Sequence, residues 1–443
     1  MLHRDNADLQ VYTAYMSGGP TVAPFHLAGA YAPVLEERTL HDLEVIGTIP
    51  SELCGTFVRN GPNPRTAASP AWFAGEGMLH GIRLEGGSAR WYRNRWMKGV
   101  HGPNTSVVRH AGRILALVES ALPVEVDGGL ETVGRFDFGG DLPASMIAHP
   151  KACPATGELL FLSYGREVPQ LTYYRADASG RIVHRAPIRV PAVTYMHDFG
   201  ITARHVVFWD LPVLLGEWRS PVPFRWTDDY HPRIGVLRRD GHEDDVVWFD
   251  VEPSFISHTV NAFEDGDLVV LDVVRAPRLM SACALYRYTL DLRTGKVTED
   301  VVVPRFVDFP RVHPASEGRP YGHGYGVELS DWGTGGWQRA VARQYDMATG
   351  VSRANDFGPS RMAGELVVAP RPGASAEDDA WAMTFVYDRA REASDLVIVD
   401  ARRFEEPPVA TVRLPCRVPI GLHGAWCPDR PSVNDGSPAN LAT

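Results

Sequence analysis

The sequence predicts an all-β fold, and three observations carry that expectation. Short apolar runs rich in aliphatic, β-branched and aromatic side chains recur along the 443 residues, each bounded by Gly, Pro or Asp. Such runs read as strands closed by turns. Strand–turn–strand segments repeat, and apolar spacing with helical periodicity is scarce.

In chain order the runs are GRILALVES from Gly112, GELLFLSYG from Gly157, HVVFWDLP from His205, GDLVVLDVV from Gly266, GELVVAP from Gly364 and DLVIVDA from Asp395. The hairpin grammar appears in YYRADASGRIV from Tyr173, YRYTLDLRTGKV from Tyr286 and QYDMATGVS from Gln344. In each, an aromatic strand enters a turn closed by Gly, which supplies the positive φ that a tight hairpin needs.

No linker divides the chain, and a single domain over 1–443 is expected, with 1–35 as an N-terminal extension and 429–443 as a flexible tail. A formal net charge of −10 without long basic runs argues against nucleic acid, which needs clustered Lys and Arg. No apolar run approaches the ~20 residues of a membrane span, and MLHRDNADLQ lacks an apolar signal core. A cytoplasmic protein is expected, with at most weak peripheral membrane contact. Cys54, Cys153, Cys283, Cys416 and Cys427 form an odd set with no C-x-x-C pair, so neither a disulfide framework nor a thiolate metal site is expected.

Four histidines sit in distinctive contexts: His149 in AHPK, His197 in MHDFG, His258 in SHTVNAFED and His423 in GLHGAW. Neutral imidazole suits a first-row metal near neutral pH, so one shared ion is suggested. Any one of the 16 histidines taken alone is more often a surface or hydrogen-bonded core residue. Separations of 48, 61 and 165 residues between these positions are too wide for one helix. A radial scaffold such as a propeller brings distant strands to one axis most simply.

All four contexts, in this order, resemble the carotenoid cleavage oxygenase family. The resemblance extends through LEVIGTIPSELCGTFVRNGPNP at 43–64, WFAGEGMLHGIRL at 72–84 and RFVDFPRVHP at 305–314. It implies a seven-bladed β-propeller with a loop or helix cap over one Fe(2+), held by His149, His197, His258 and His423. It assigns three acids to orient the imidazoles: Glu119 in LALVES, Asp308 in FVDFPR and Glu365 in GELVVAP. The family usually has Glu where Asp308 stands, a carboxylate about one methylene shorter, so either the backbone moves closer or a water bridges the gap. Thr105 matches the position that crowds one open coordination site. His80, His313 and His323 match no ligand position and are read as structural.

The activity so implied is cleavage of a carbon–carbon double bond by O2 to give two carbonyl products, with an apolar conjugated small molecule as partner. Two departures bear on the substrate. Relatives that cleave lignostilbenes carry a lysine, which binds the phenolate, where this chain has Val118, and burying a phenolate against valine would be costly. The connection at 97–103 is short where relatives insert a longer capping segment. The first favours a hydrocarbon chain such as a carotenoid or apocarotenoid, and the second a soluble, shorter apocarotenoid over an intact membrane-dissolved carotenoid. Stilbene or phenylpropanoid cleavage, isomerisation, and a non-catalytic propeller binding an apolar ligand stand as alternatives. Trp72, Phe73, Phe199, Trp209, Tyr321 and Tyr325 lie near the motif histidines as wall candidates, although large aromatics commonly fill β cores for packing alone.

Overall fold

The computed structural model describes residues 24–66, 69, 71–98, 102–119, 121–165, 171–216, 224–279, 281–333 and 336–429. They form antiparallel strand meanders joined by turns, with only 3₁₀ turns and no α-helix among the described residues. No described helix is long and apolar enough to cross a membrane.

Four meanders run in chain order within their own four-stranded sheets, beginning at Ser106–His110, Lys151–Ala152, Gly200–Ile201 and Phe255–Asp265. A larger sheet holds two more, one beginning at Val307–Val312 and the other at Val367–Pro370. These two are joined by a single parallel pairing, Ala340 with Met362. In the remaining sheet, Gly424–Pro428 from the end of the chain pairs antiparallel with Gly55–Pro62 near its beginning. Glu44–Gly47 likewise pairs with Ala410–Arg413, so strands from the two ends interlock twice. Repeated antiparallel meanders closed in this way are the pattern of a propeller.

All six apolar runs are strands. His205–Asp210, Ala380–Asp388 and Ala393–Asp400 are buried at every position. A strand covered on both faces by neighbouring sheets has no solvent side, which explains why these runs lack polar alternation. The last strands of the meanders, such as Ile182–Ile188 and Thr132–Arg135, alternate between covered and exposed residues. The three hairpin glycines adopt the expected left-handed backbone, with φ of +85° at Gly180, +72° at Gly295 and +71° at Gly350. Each glycine amide bonds back to the carbonyl of an aspartate, Asp177, Asp291 or Asp346.

The described part of the N-terminal extension is packed. Phe25 and Tyr31 stand edge-on to Trp72 and join a cluster with Val327, Leu329 and Met362. Of the expected tail only Asp429 is described, and Arg83 Nη2 donates to it at 2.6 Å. Residues 99–101 of the short connection lie outside the described residues.

Candidate metal centre

Each histidine lies in or just before a strand of a different sheet. His149 and His197 precede Lys151–Ala152 and Gly200–Ile201, His258 lies within Phe255–Asp265, and His423 precedes Gly424–Pro428. Ligand-competent nitrogens of the four rings lie within 4.8 Å of one another. The Nε2 atoms of His149 and His197 are 3.1 Å apart, and those of His197 and His258 are 3.2 Å apart. The ring of His149 stands edge-on to the other three.

Three carboxylates fix the outer nitrogens. Glu119 accepts from His197 Nδ1, Asp308 from His258 Nδ1 at 2.6 Å, and Glu365 from His423 Nδ1 at 2.7 Å. An Nδ1–H that donates outward leaves a bare lone pair on Nε2. The facing Nε2 lone pairs of His197 and His258 would repel one another unless a cation lies between them. Two imidazole nitrogens about 2.1 Å from one ion and about 90° apart stand about 3.0 Å from each other, so the spacing fits a shared metal.

The charges fit as well. Burial would raise the Glu365 carboxyl, but Arg311, bonded through Nε and Nη2 at 3.0 Å each, and His423 hold it at about 2. Burial likewise opposes charge on Asp308, while His258 and the Phe309 amide keep its carboxyl below the usual range. The formal charges of Glu119, Asp308, Glu365 and Arg311 sum to minus two, which a divalent cation neutralises. Burial pushes His423 down to about 4 and, with the neighbouring histidines, His149 well below its ordinary value. Burial also opposes protonation of His258, but Asp308 beside it raises it above the ordinary imidazole value. In the metal-free protein His258 is therefore the first of these three to take up a proton as pH falls.

The shorter Asp308 side chain needs no bridging water. The strand pairing shifts register between Asp308 and Arg311, and Phe309 adopts φ +56°. This bulge carries the carboxylate into direct contact with His258, and it also accepts from Ser257 Oγ at 3.4 Å. If this contact orients the ring, Asp308→Asn will lower metal affinity by about 10- to 100-fold. Titration of the metal-free protein with Fe(II) checks this, and unchanged affinity would remove Asp308 from the site.

Thr105 is tied to the centre through its backbone. Its carbonyl accepts from the His423 amide at 3.0 Å, and its hydroxyl donates to Asn104 Oδ1 at 2.9 Å. Val118 precedes Glu119 directly and is half-buried.

None of the three rival histidines joins the cluster. His80 pairs with the Tyr92 hydroxyl at 2.9 Å, and His313 Nδ1 accepts from the Ala315 amide. The rings packed against the histidines differ from the aromatics near them in sequence. Phe199, Trp209 and Tyr325 are fully buried core residues, and Tyr321 donates to Asp272 at 2.7 Å. Trp72 packs on the N-terminal turns, while Phe73 beside it is exposed. The rings at the histidines are Tyr195, stacked on His197 at 5.2 Å and 8°, and Phe309, 5.5 Å from His423 and 6.0 Å from His258. Phe224 and Phe255 pack on Tyr195. Arg311 and Asp198 also escaped the sequence reading, although Asp198 follows His197 directly and Arg311 lies three residues after Asp308.

Comparison with known proteins agrees with this geometry. Residues 31–428 match the family described as retinal pigment epithelial membrane protein. A carotenoid cleavage oxygenase of Mycobacterium tuberculosis is 35% identical, covering 91% of this chain and 97% of its own. Among solved structures, a Pseudomonas brassicacearum lignostilbene dioxygenase matches with a TM-score of 0.85 at 28% identity, covering 92% of this chain and 99% of that one. A Synechocystis apocarotenoid oxygenase variant matches with a TM-score of 0.82 at 25% identity, covering 90% and 98%.

Proposed function

The chain belongs to the carotenoid cleavage oxygenase family, and from that premise we propose that it is an Fe(II)-dependent oxygenase. It uses O2 to cleave a carbon–carbon double bond of an apocarotenoid or similar conjugated apolar substrate, giving two carbonyl products. The observation that carries this reading is the convergence of four imidazoles, three of them backed by carboxylates, on a point whose surroundings lack two positive charges. The chain is read as one domain over 1–443, in the cytoplasm. The larger sheet is read as two blades, which makes seven in all.

His149, His197, His258 and His423 would hold the ion. When bound, ferrous iron supplies the O2 chemistry that amino-acid side chains lack. The protein's part is placement. Glu119, Asp308 and Glu365 lock the outer tautomers of His197, His258 and His423, so their Nε2 lone pairs point inward. Thr105, with its hydroxyl engaged by Asn104, is assigned to crowd one open coordination position. Tyr195 and Phe309 cover flanks of the histidines with apolar surface that suits a rigid polyene.

Purified protein tests the reading without added metal. About one iron per chain is expected, and an apocarotenoid aldehyde incubated in air should yield two shorter carbonyl compounds that do not form under nitrogen. Iron-loaded protein that only isomerises the substrate, or leaves it unchanged, would overturn the cleavage assignment.

Substrate class turns on Val118. A buried phenolate needs a cation or hydrogen-bond donor, and valine supplies neither. The unmodified enzyme should therefore prefer an apocarotenoid over a 4-hydroxystilbene by kcat/KM. Val118→Lys should shift that ratio toward the phenol by about 10- to 100-fold, the range of one hydrogen bond to a charged group. Robust cleavage of the stilbene by unmodified protein, with no turnover of apocarotenoids, would reverse the ranking.

A further inference from the structure

His149, His197 and His258 reach the centre from three sheets that share no backbone hydrogen-bond ladder. Their relative placement must therefore be set by side chains. Asp198 lies where the three segments meet, and its carboxylate is buried. Oδ1 accepts from Lys151 Nζ at 2.9 Å and from the Phe199 amide at 2.7 Å, while Oδ2 accepts from the Thr259 amide at 2.7 Å. Lys151 stands two residues after His149, Phe199 two after His197, and Thr259 directly after His258. One carboxylate thus holds all three histidine segments by donors next to the histidines themselves.

We propose that Asp198 is a positioning residue that sets the mutual spacing of His149, His197 and His258, and so the geometry of the metal they share. The proposal rests on the metal reading above. Other buried aspartates act differently. Asp272 pairs with Arg287 across one strand pair and accepts from Tyr321, with none of these partners beside a histidine of the cluster, and Asp395 accepts from Arg361 and Arg391 within a single sheet. Only a carboxylate serves the position of Asp198 in full, because three donors converge on two oxygens. Asparagine would turn an N–H toward one of them.

Cobalt(II) titration of the metal-free full-length protein, read by visible d–d absorption, reports both affinity and coordination geometry. Asp198→Asn should bind cobalt about 10- to 100-fold more weakly, with altered band positions or intensities. Asp198→Glu keeps the charge opposite Lys151 but displaces the acceptors by a methylene. Its Tm should stay near that of the unmodified protein while cobalt binding remains weakened, a split that a purely structural role would not produce. If the asparagine variant does not fold, the glutamate variant carries the test alone.

Asp395→Asn breaks an equally buried ion pair away from the histidines. It should lose thermal stability yet keep the cobalt affinity and spectrum of the unmodified protein. Unchanged affinity and spectrum in either Asp198 variant, or an equal loss in Asp395→Asn, would overturn the positioning role while leaving the metal site standing. Failure of the unmodified protein to bind cobalt or iron would instead remove the metal reading, and this proposal with it.

Discussion

His258→Ala is expected to purify without iron and without cleavage activity, with metal affinity reduced by more than the ~100-fold upper range typical of losing an outer partner. The reason lies in what the ring leaves behind. Its Nε2 stands 3.2 Å from that of His197, so its loss removes one donor and exposes the remaining three to water. The Asp308 carboxylate loses the His258 charge and hydrogen bond that hold its pKa down against burial, keeping the weaker help of the Phe309 amide and Ser257. His313→Ala removes another buried imidazole, one outside the cluster, and should retain iron. Metal analysis of both variants decides the matter, and full iron with full turnover in His258→Ala would show that the site is wrongly assigned.

The second large effect is expected at Glu365. Its carboxylate receives Arg311 through two bonds, His423 Nδ1, and the Gly424 amide at 2.7 Å. Glu365→Gln keeps the shape but removes the charge and turns an N–H toward these donors. The expected destabilisation is about 3 kcal/mol, the low end for breaking a buried ion pair, because the Arg311 side chain retains about a third of its exposure.

The pH dependence has a definite sign. The native carboxyl titrates at about 2, below the ordinary value of ~4.3 for glutamate. Its stabilisation is fully present above that ordinary range and is lost as pH falls toward 2. Glutamine binds no proton there, so the variant should lack this contribution to the acid limb. Denaturation of the metal-free proteins between pH 7 and pH 3 measures it, and parallel curves would exclude the coupling.

Much of the strand content was legible because a buried strand writes itself as a continuous apolar run. HVVFWDLP is such a case, and the fully buried His205–Asp210 is its outcome. Hairpin turns were legible because Gly180, Gly295 and Gly350 are required by φ alone. The four histidines announced themselves as unusual contexts, but their convergence and their three acids were legible only through family resemblance. Glu119 and His197 are 78 residues apart, and no local pattern links them.

Other partners left no comparable signal. Asp198 meets Thr259 across 61 residues and Arg311 meets Glu365 across 54, so neither pair could be paired by spacing. Most of the aromatic candidates are packing residues, as large aromatics in β proteins commonly are. Phe199 and Trp209 lie after His197 in sequence, but their rings are fully buried in the core, whereas Tyr195 stacks on the imidazole.

The interlock between the two ends of the chain has a consequence for biosynthesis. His423 stands at the entrance to Gly424–Pro428, the strand that pairs with Gly55–Pro62. A nascent chain can therefore fold most of these sheets on the ribosome, yet it cannot complete the centre until Gly424–Pro428 has emerged. Until then Gly55–Pro62 offers an unpaired strand edge to any other chain nearby, an invitation to aggregate. Closure removes that edge and supplies the fourth imidazole in one event. The proposed ion would bind the closed ring far better than the open one, and so act as a fastener that shifts the equilibrium toward closure. If that ion is iron, cells starved of it during synthesis should accumulate more of this protein in insoluble form, even though the other three histidines are already in place.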